Sequence, residues 1–316
     1  MKDSFGRNID YLRLSVTQRC NLKCIYCNPS ACKDPTCREM TASEFEKIVQ
    51  IMADFGVKRV RLTGGEPLIR QDIVEITKRI SSIKGISDIS MTTNGIRLVH
   101  FAEELKKAGL MRVNISIDSL MEEKYSKLTG GRLSDVFKGI EASQKAGLKP
   151  LKLNVVLMEG INDDEISEFI NLTKDIELDV RFIEMMPFND DNKKQGNTLA
   201  NTHIMNKYPQ LQPVYEEYNG QPARYYKLPG YAGRVGFISP MSHKFCSCCN
   251  RIRITSDAKI RTCLGDNCEY DFYDLLKKDN VEGIKRIIEQ AILNKPEGHN
   301  FGKKYVSNRK MNQIGG

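Results

Sequence analysis

The sequence predicts an α/β fold built on a parallel sheet with helices on its outer face. Two observations carry this prediction: strand-like apolar runs alternate with amphipathic helical patterns as far as about residue 189, and the residues able to do chemistry cluster just after the strands. Right-handed crossovers would curl such a sheet into a barrel or partial barrel, although the pattern alone also fits a doubly wound open sheet.

The strand candidates are Leu12–Thr17, Arg59–Thr63, Ile89–Thr93, Arg112–Ile117, Lys152–Met158 and Val180–Met185. Helices are expected over Ser43–Phe55, Asp72–Ser82, Leu98–Ala108, Leu133–Ala146 and Asp164–Lys174. Thr41 or Ser43 can cap the first helix, and Gly56, Gly109 and Gly147 stand where helices end on a left-handed residue. Beyond Asn189 the periodicity weakens, and Asp190-Asp-Asn-Lys-Lys-Gln-Gly reads as an exposed loop. Pro209, Pro213, Gly220 and Pro222 mark a boundary before strand-like Ala223–Leu228 and Arg234–Ile238. The expected division is therefore a domain over 1–208 and a smaller one over 209–316.

At 316 residues the chain can bury one substantial core plus a small second domain. The N-terminus has no apolar signal-like region, and no run of 18 or more apolar residues occurs, so the expectation is a cytoplasmic protein off the membrane. Net charge is +8 without any basic run interleaved with aromatics, which argues against nucleic acid and for an anionic small substrate. Ten cysteines in such a chain suggest metal ligation rather than disulfides. They fall in two groups, Cys20 to Cys37 and Cys246 to Cys268.

The first group contains Cys20-Asn-Leu-Lys-Cys24-Ile-Tyr-Cys27, a C-x3-C-x2-C spacing just past the first strand. Thiolates hold iron–sulfur clusters, and a cubane normally takes four. Three close thiols leave one iron open to a small molecule. A structural zinc site prefers four ligands in separated pairs, which this stretch does not offer. Gly64-Gly65-Glu66-Pro67 follows at the end of the second strand. Together these motifs resemble the radical S-adenosylmethionine (SAM) superfamily. The resemblance implies a partial (β/α)6 TIM-type barrel, a [4Fe–4S] cluster on Cys20, Cys24 and Cys27, and SAM chelated by the open iron and cleaved to a 5′-deoxyadenosyl radical.

The second group runs Phe245-Cys246-Ser-Cys248-Cys249-Asn250-Arg251-Ile-Arg253, followed by Cys263. Cys246, Cys249 and Cys263 make another set of three, C-x2-C-x13-C; a structural zinc or iron site completed by Cys248 or Cys268 is the alternative. With Leu12-Arg-Leu-Ser-Val-Thr-Gln-Arg-Cys-Asn21, Arg61-Leu-Thr-Gly-Gly-Glu-Pro-Leu68, Val113–Leu120, Phe182-Ile-Glu-Met-Met186 and the terminal Arg309–Gly316, the chain resembles the GTP 3′,8-cyclase family along essentially its whole length. That resemblance implies a second [4Fe–4S] cluster on Cys246, Cys249 and Cys263 in a smaller C-terminal domain. It implies SAM contacts at Tyr26, Gly65, Ser116 and Met186, and GTP contacts at Arg13, Arg61, Thr92, Lys152, Arg251 and Arg253. Arg309, Gly315 and Gly316 would reach the active site as a catalytic tail. The arginines suit this on chemical grounds, since a guanidinium fork matches phosphate oxygens. The activity implied is conversion of GTP to (8S)-3′,8-cyclo-7,8-dihydroguanosine 5′-triphosphate, a step of molybdenum cofactor synthesis, with a flavodoxin- or ferredoxin-type electron donor; a homodimer is neither required nor excluded.

Three features depart from the family pattern: Cys32 and Cys37 beside the first set, Cys248 inside the second, and Asn28-Pro29 where Met-Pro is usual. A radical SAM enzyme acting on another substrate, such as a peptide, is the alternative. The terminal Gly-Gly argues against it.

Overall fold

The computed structural model describes residues 1–27, 38–188, 199–215, 220–301 and 305–315. Cys32, Cys37, Asn28-Pro29, the loop expected from Asp190 and Gly316 lie outside the described residues.

The six expected strands form within two residues of their anticipated limits: β1 Tyr11–Thr17, β2 Arg59–Gly64, β3 Asp88–Thr93, β4 Arg112–Ser116, β5 Leu151–Leu157 and β6 Leu178–Glu184. Between them lie α1 Ala42–Asp54, α2 Ile73–Ser81, α3 Leu98–Lys107, α4 Glu122–Thr129, α5 Leu133–Lys145 and α6 Ile166–Asn171. Thr41 caps α1 in a capping box with Glu44. Gly56, Gly109 and Gly147 follow α1, α3 and α5 at φ of +91°, +102° and +70°.

Two helices differ from expectation. Helix α4 is absent from the sequence reading, because only Tyr125, Leu128 and Thr129 of its eight residues are buried and the apolar period is too sparse to register. Helix α6 is shorter than Asp164–Lys174. Its approach is a 3-10 turn over Asp163–Glu165, and the Glu165 carboxylate is drawn away to accept from Ser119 Oγ at 2.8 Å and the Leu120 amide at 2.6 Å.

The later chain supplies α7 Asn201–Lys207, β7 Gln212–Pro213, β8 Ala223–Lys227, β9 Arg234–Ile238, β10 Arg251–Ile254, β11 Lys259–Arg261, β12 Tyr270–Asp271, α8 Tyr273–Lys277, α9 Val281–Leu293 and α10 Met311–Ile314. Its strands do not make a separate sheet. The order is β12-β11-β10-β1-β2-β3-β4-β5-β6-β9-β8-β7, with β10 parallel to β1 and β9 parallel to β6. The partial barrel of six βα units is thus widened by one parallel strand on each side, both from the C-terminal segment.

Period-two alternation divides each strand's residues. Leu12, Leu14 and Val16, Val60 and Leu62, Ile89 and Met91, Val113 and Ile115 are buried in one apolar cluster with Phe45, Ile48, Ile76, Ile80 and Leu105 of the helices. Truncating a side chain such as Phe45 to alanine there costs about 3–5 kcal/mol. The intervening residues, including Arg13, Arg61, Thr92, Asn154 and Arg181, line the barrel's interior. Ion pairs Arg59–Asp10, Arg112–Asp88 and Arg234–Asp179 hold the strands near their N-terminal ends.

A chamber between two sets of thiols

The C-terminal ends of the strands open into one cavity with about 1940 Å³ of non-atom space, counting its mouth. Cys20, Cys24 and Cys27 line one part of it, and Cys246, Cys249 and Cys263 another. Cys248 instead lines a neighbouring cavity with Tyr225 and Phe237, and Cys268 is exposed.

The first set is held by the helix the sequence did not disclose. The amides of Lys23 and Ile25 donate to the carbonyls of Thr129 and Leu128 at 2.8 and 3.0 Å, so the end of α4 fixes the cysteine loop. Burial pushes the Cys20 thiol up to about 11, Cys24 well above the ordinary range, and Cys27 up to about 12. Asp118 is the next influence on Cys24, and the Asn312 amide donates to Cys27.

Gly65 lies close under this loop: a Cβ there would sit 2.1 Å from the Arg19 carbonyl oxygen, so only glycine fits. Glu66 is buried and accepts from the amides of Leu68 and Asn94 at 3.0 and 2.7 Å and from Thr93 Oγ1 at 2.7 Å. Burial raises its carboxyl, with those three donors opposing. Tyr26 Oη donates to Asp118 at 2.7 Å, and burial lifts Asp118 to about 6. Tyr26, Gly65, Ser116 and Met186 all line the chamber.

The second set stands beside a row of cations. Arg13 pairs in register with Arg253 on one side and Arg61 on the other, so three adjacent parallel strands present guanidinium groups abreast. Burial, then Arg253 and Arg61, pull Arg13 well below its usual range; burial and Arg251 bring Arg253 down to about 10. All remain cationic at neutral pH; burial is the larger cause of the lowering, and neighbouring positive charge adds to it. Thr92 Oγ1 also lines the chamber and has no protein hydrogen-bond partner among the described residues. An anion would relieve both.

Two expected contacts lie outside the lining. Lys152 Nζ sits 3.0 Å from Asp179 and donates to Tyr225 Oη at 2.8 Å, so the barrel floor occupies it. Arg309 pairs with Asp257 at 2.8 Å and Glu269 at 2.6 Å. It anchors the tail, whose later residues do enter. Asn312 lines the chamber, Arg253 Nη1 donates to the Gly315 carbonyl at 2.6 Å, and a Cβ on Gly315 would lie 2.5 Å from Thr63 Cγ2.

Further residues of the site escaped the sequence reading: Asn154 and Arg181, the latter donating to Asn154 Oδ1 at 2.9 and 2.6 Å. Asp118 stood in a motif already noted, but nothing in the spacing around Arg181 separates it from a surface arginine.

Each set brings three thiols to the chamber wall, a donor set that fits a cubane cluster, in which each thiolate binds its own iron and one iron is left open. None of the eight described cysteines is disulfide-bonded.

The comparisons agree with this geometry. Residues 14–173 match the Radical SAM superfamily profile, and residues 178–301 match Molybdenum Cofactor Synthesis C. Among solved structures, Streptococcus suis SuiB bound to S-adenosylmethionine superposes with a TM-score of 0.60, covering 96% of this chain and 76% of that one at 17% identity. That likeness establishes the fold. The fold and the three-thiol loop define a radical SAM enzyme. Over 322 residues and the full length of both chains, the sequence is 48% identical to GTP 3′,8-cyclase of Alkaliphilus oremlandii and 45% identical to that of Alkaliphilus metalliredigens. The chain belongs to the GTP 3′,8-cyclase family.

Proposed function

We propose that the chamber converts GTP to (8S)-3′,8-cyclo-7,8-dihydroguanosine 5′-triphosphate, with SAM at the first thiol set and GTP extending from the arginines to the second. The enzyme belongs to molybdenum cofactor synthesis and uses SAM and two [4Fe–4S] clusters. Cys20, Cys24 and Cys27 hold one, and Cys246, Cys249 and Cys263 the other. The single observation that supports this most is the meeting of both sets with the Arg253–Arg13–Arg61 row around one cavity.

The clusters and SAM supply the one-electron chemistry that joins C3′ of the ribose to C8 of guanine. The chain's residues bind and orient. Tyr26, Gly65, Ser116 and Met186 surround SAM. Arg13, Arg61, Arg251 and Arg253 hold the triphosphate, and Thr92 offers its hydroxyl. Lys152 closes the floor beneath them. Gly315, positioned by Arg309, fills the narrow space beside Thr63, and the Gly315-Gly316 tail has the role of excluding water from the reacting ribose. Residues 1–208 act as the SAM domain and 209–316 as the substrate-side domain. A flavodoxin- or ferredoxin-type protein supplies electrons in the cytoplasm, a compartment that suits cysteines used for metal ligation.

A peptide substrate is the less favoured reading. SuiB, whose solved structures include one with the precursor peptide SuiA, shares only 17% identity, whereas the full-length relatives are cyclases.

The test is anaerobic incubation of the reconstituted protein with SAM, a strong reductant and GTP deuterated at C3′. Deuterium should appear in 5′-deoxyadenosine together with a cyclised nucleotide. SAM cleavage without deuterium transfer would overturn the reading.

A further inference from the structure

The second thiol set rests on two buried cations from opposite ends of the chain. Lys295, just past α9, is 3% exposed. Its Nζ donates to the carbonyls of Arg251, at 3.0 Å, and Thr262, and so ties the segment after Cys249 to the one before Cys263. Arg7, 7% exposed, donates to the Cys246 carbonyl at 2.9 Å and to those of Pro296 and Glu297 at 2.7 and 2.8 Å. All three ligand-bearing segments are thereby joined.

The two cations differ in charge balance. Arg7 has Asp3 at 2.6 Å. Lys295 has no carboxylate at ion-pair distance among the described residues; the anionic groups acting on it are Cys249 and Cys263. A buried ammonium facing only carbonyl dipoles is costly, because those cannot replace a counter-charge. The cost is removed if the thiolates and the cluster they carry supply it.

We infer that Lys295 is a positioning residue whose ammonium compensates the charge of the cluster on Cys246, Cys249 and Cys263, sets that cluster's reduction potential, and leaves the first cluster alone. The inference rests on the second-cluster reading above. A fixed cation beside a cluster favours its more negative, reduced form and raises the potential.

The test uses the full chain with both clusters loaded, in wild type and in Lys295→Met, Lys295→Gln and Lys295→Arg. Gln keeps amide donors for the two carbonyls without the charge, and Arg keeps the charge. Iron and sulfide are counted, and each cluster is titrated electrochemically with spectroscopic detection. The first cluster is recognised by its response to SAM. In Met and Gln the second cluster's ratio of oxidised to reduced form at fixed potential should rise at least tenfold, 59 mV for one electron. Arg should stay near wild type, and the first cluster should not move in any variant. If Met and Gln instead load only about four irons per chain, Arg should restore about eight. An unchanged second potential in Met and Gln, or an Arg variant that behaves like Met, would overturn the role of the charge. Wild type that loads only one cluster would overturn the second-cluster reading itself, a failure visible before any variant is made.

Discussion

The two sets of thiols face one chamber from opposite electrostatic surroundings. The first sits among apolar and acidic neighbours, where burial holds Cys20 at about 11 and Cys27 at about 12, with Asp118 raising Cys24 further. The second sits among cations. Burial would raise Cys249 too, yet Arg251 and Lys295 bring it down to about 6, while Cys263 stays raised by burial. Two sets of three thiols thus sit in opposite electrostatic settings. An acidic, enclosed setting lowers a cluster's potential and suits delivery of an electron, whereas a cationic one suits holding an anionic substrate.

The comparison predicts its largest contrast when each set loses one thiol. Cys24→Ala should abolish 5′-deoxyadenosine formation, while Cys249→Ala should retain some SAM cleavage and lose the cyclised nucleotide; chromatography of the products checks both. Equal loss of 5′-deoxyadenosine in the two variants would erase the distinction.

Next in size is thiol reactivity in the metal-free protein. At pH 7.5 Cys249 should be mostly thiolate and Cys20 protonated, a difference in thiolate fraction on the order of a thousandfold or more. Alkylation followed by peptide mapping should mark Cys249 first, with labelling falling as pH drops through about 6. In Arg251→Ala that fall should move to higher pH. Uniform labelling of both sets would show that the surroundings do not differ as described.

A smaller effect is expected from the cation row. A charge-assisted hydrogen bond is worth roughly 1.5–3 kcal/mol, so Arg253→Ala should weaken GTP binding about 10- to 100-fold. Guanosine should bind wild type poorly and be indifferent to the substitution, and titration calorimetry distinguishes the two ligands. The smallest change in binding should come from deleting Gly315 and Gly316. GTP affinity and iron content should stay within about twofold, while deuterium transfer from C3′ and product formation drop. Full activity in the truncation would show the last two glycines to be dispensable.

How far the sequence disclosed this arrangement depended on whether a feature was local. The β1–β6 strands were legible because Leu12-Arg-Leu-Ser-Val and its counterparts alternate cleanly between helix-facing and chamber-facing residues. Cys20 to Cys27 and Gly64-Gly65-Glu66 were legible because each motif is contiguous. The Asp179 and Tyr225 partners of Lys152 were not legible because a lysine reads alike whether it meets a phosphate, a carboxylate or a phenol. Arg7 and Lys295 were missed because the carbonyls that tie them to the second thiol set lie 239 residues away for Arg7 and 33 and 44 for Lys295, and no spacing links them. Helix α4 was missed because its work lies in two terminal carbonyls that hold the cysteine loop rather than in an apolar stripe.

The order of the sheet has a consequence for synthesis. β1 emerges early from the ribosome and β6 by residue 184, yet their outer neighbours β10 and β9 arrive only after residues 251 and 234. Until then the nascent chain carries two unpaired strand edges, the exposed surface on which chains stick to one another. A product ending after β6 should therefore aggregate rather than persist as a soluble half-enzyme. Synthesis of β9 and β10, rather than formation of the first six βα units, gives the barrel its flanking strands and its second set of thiols together.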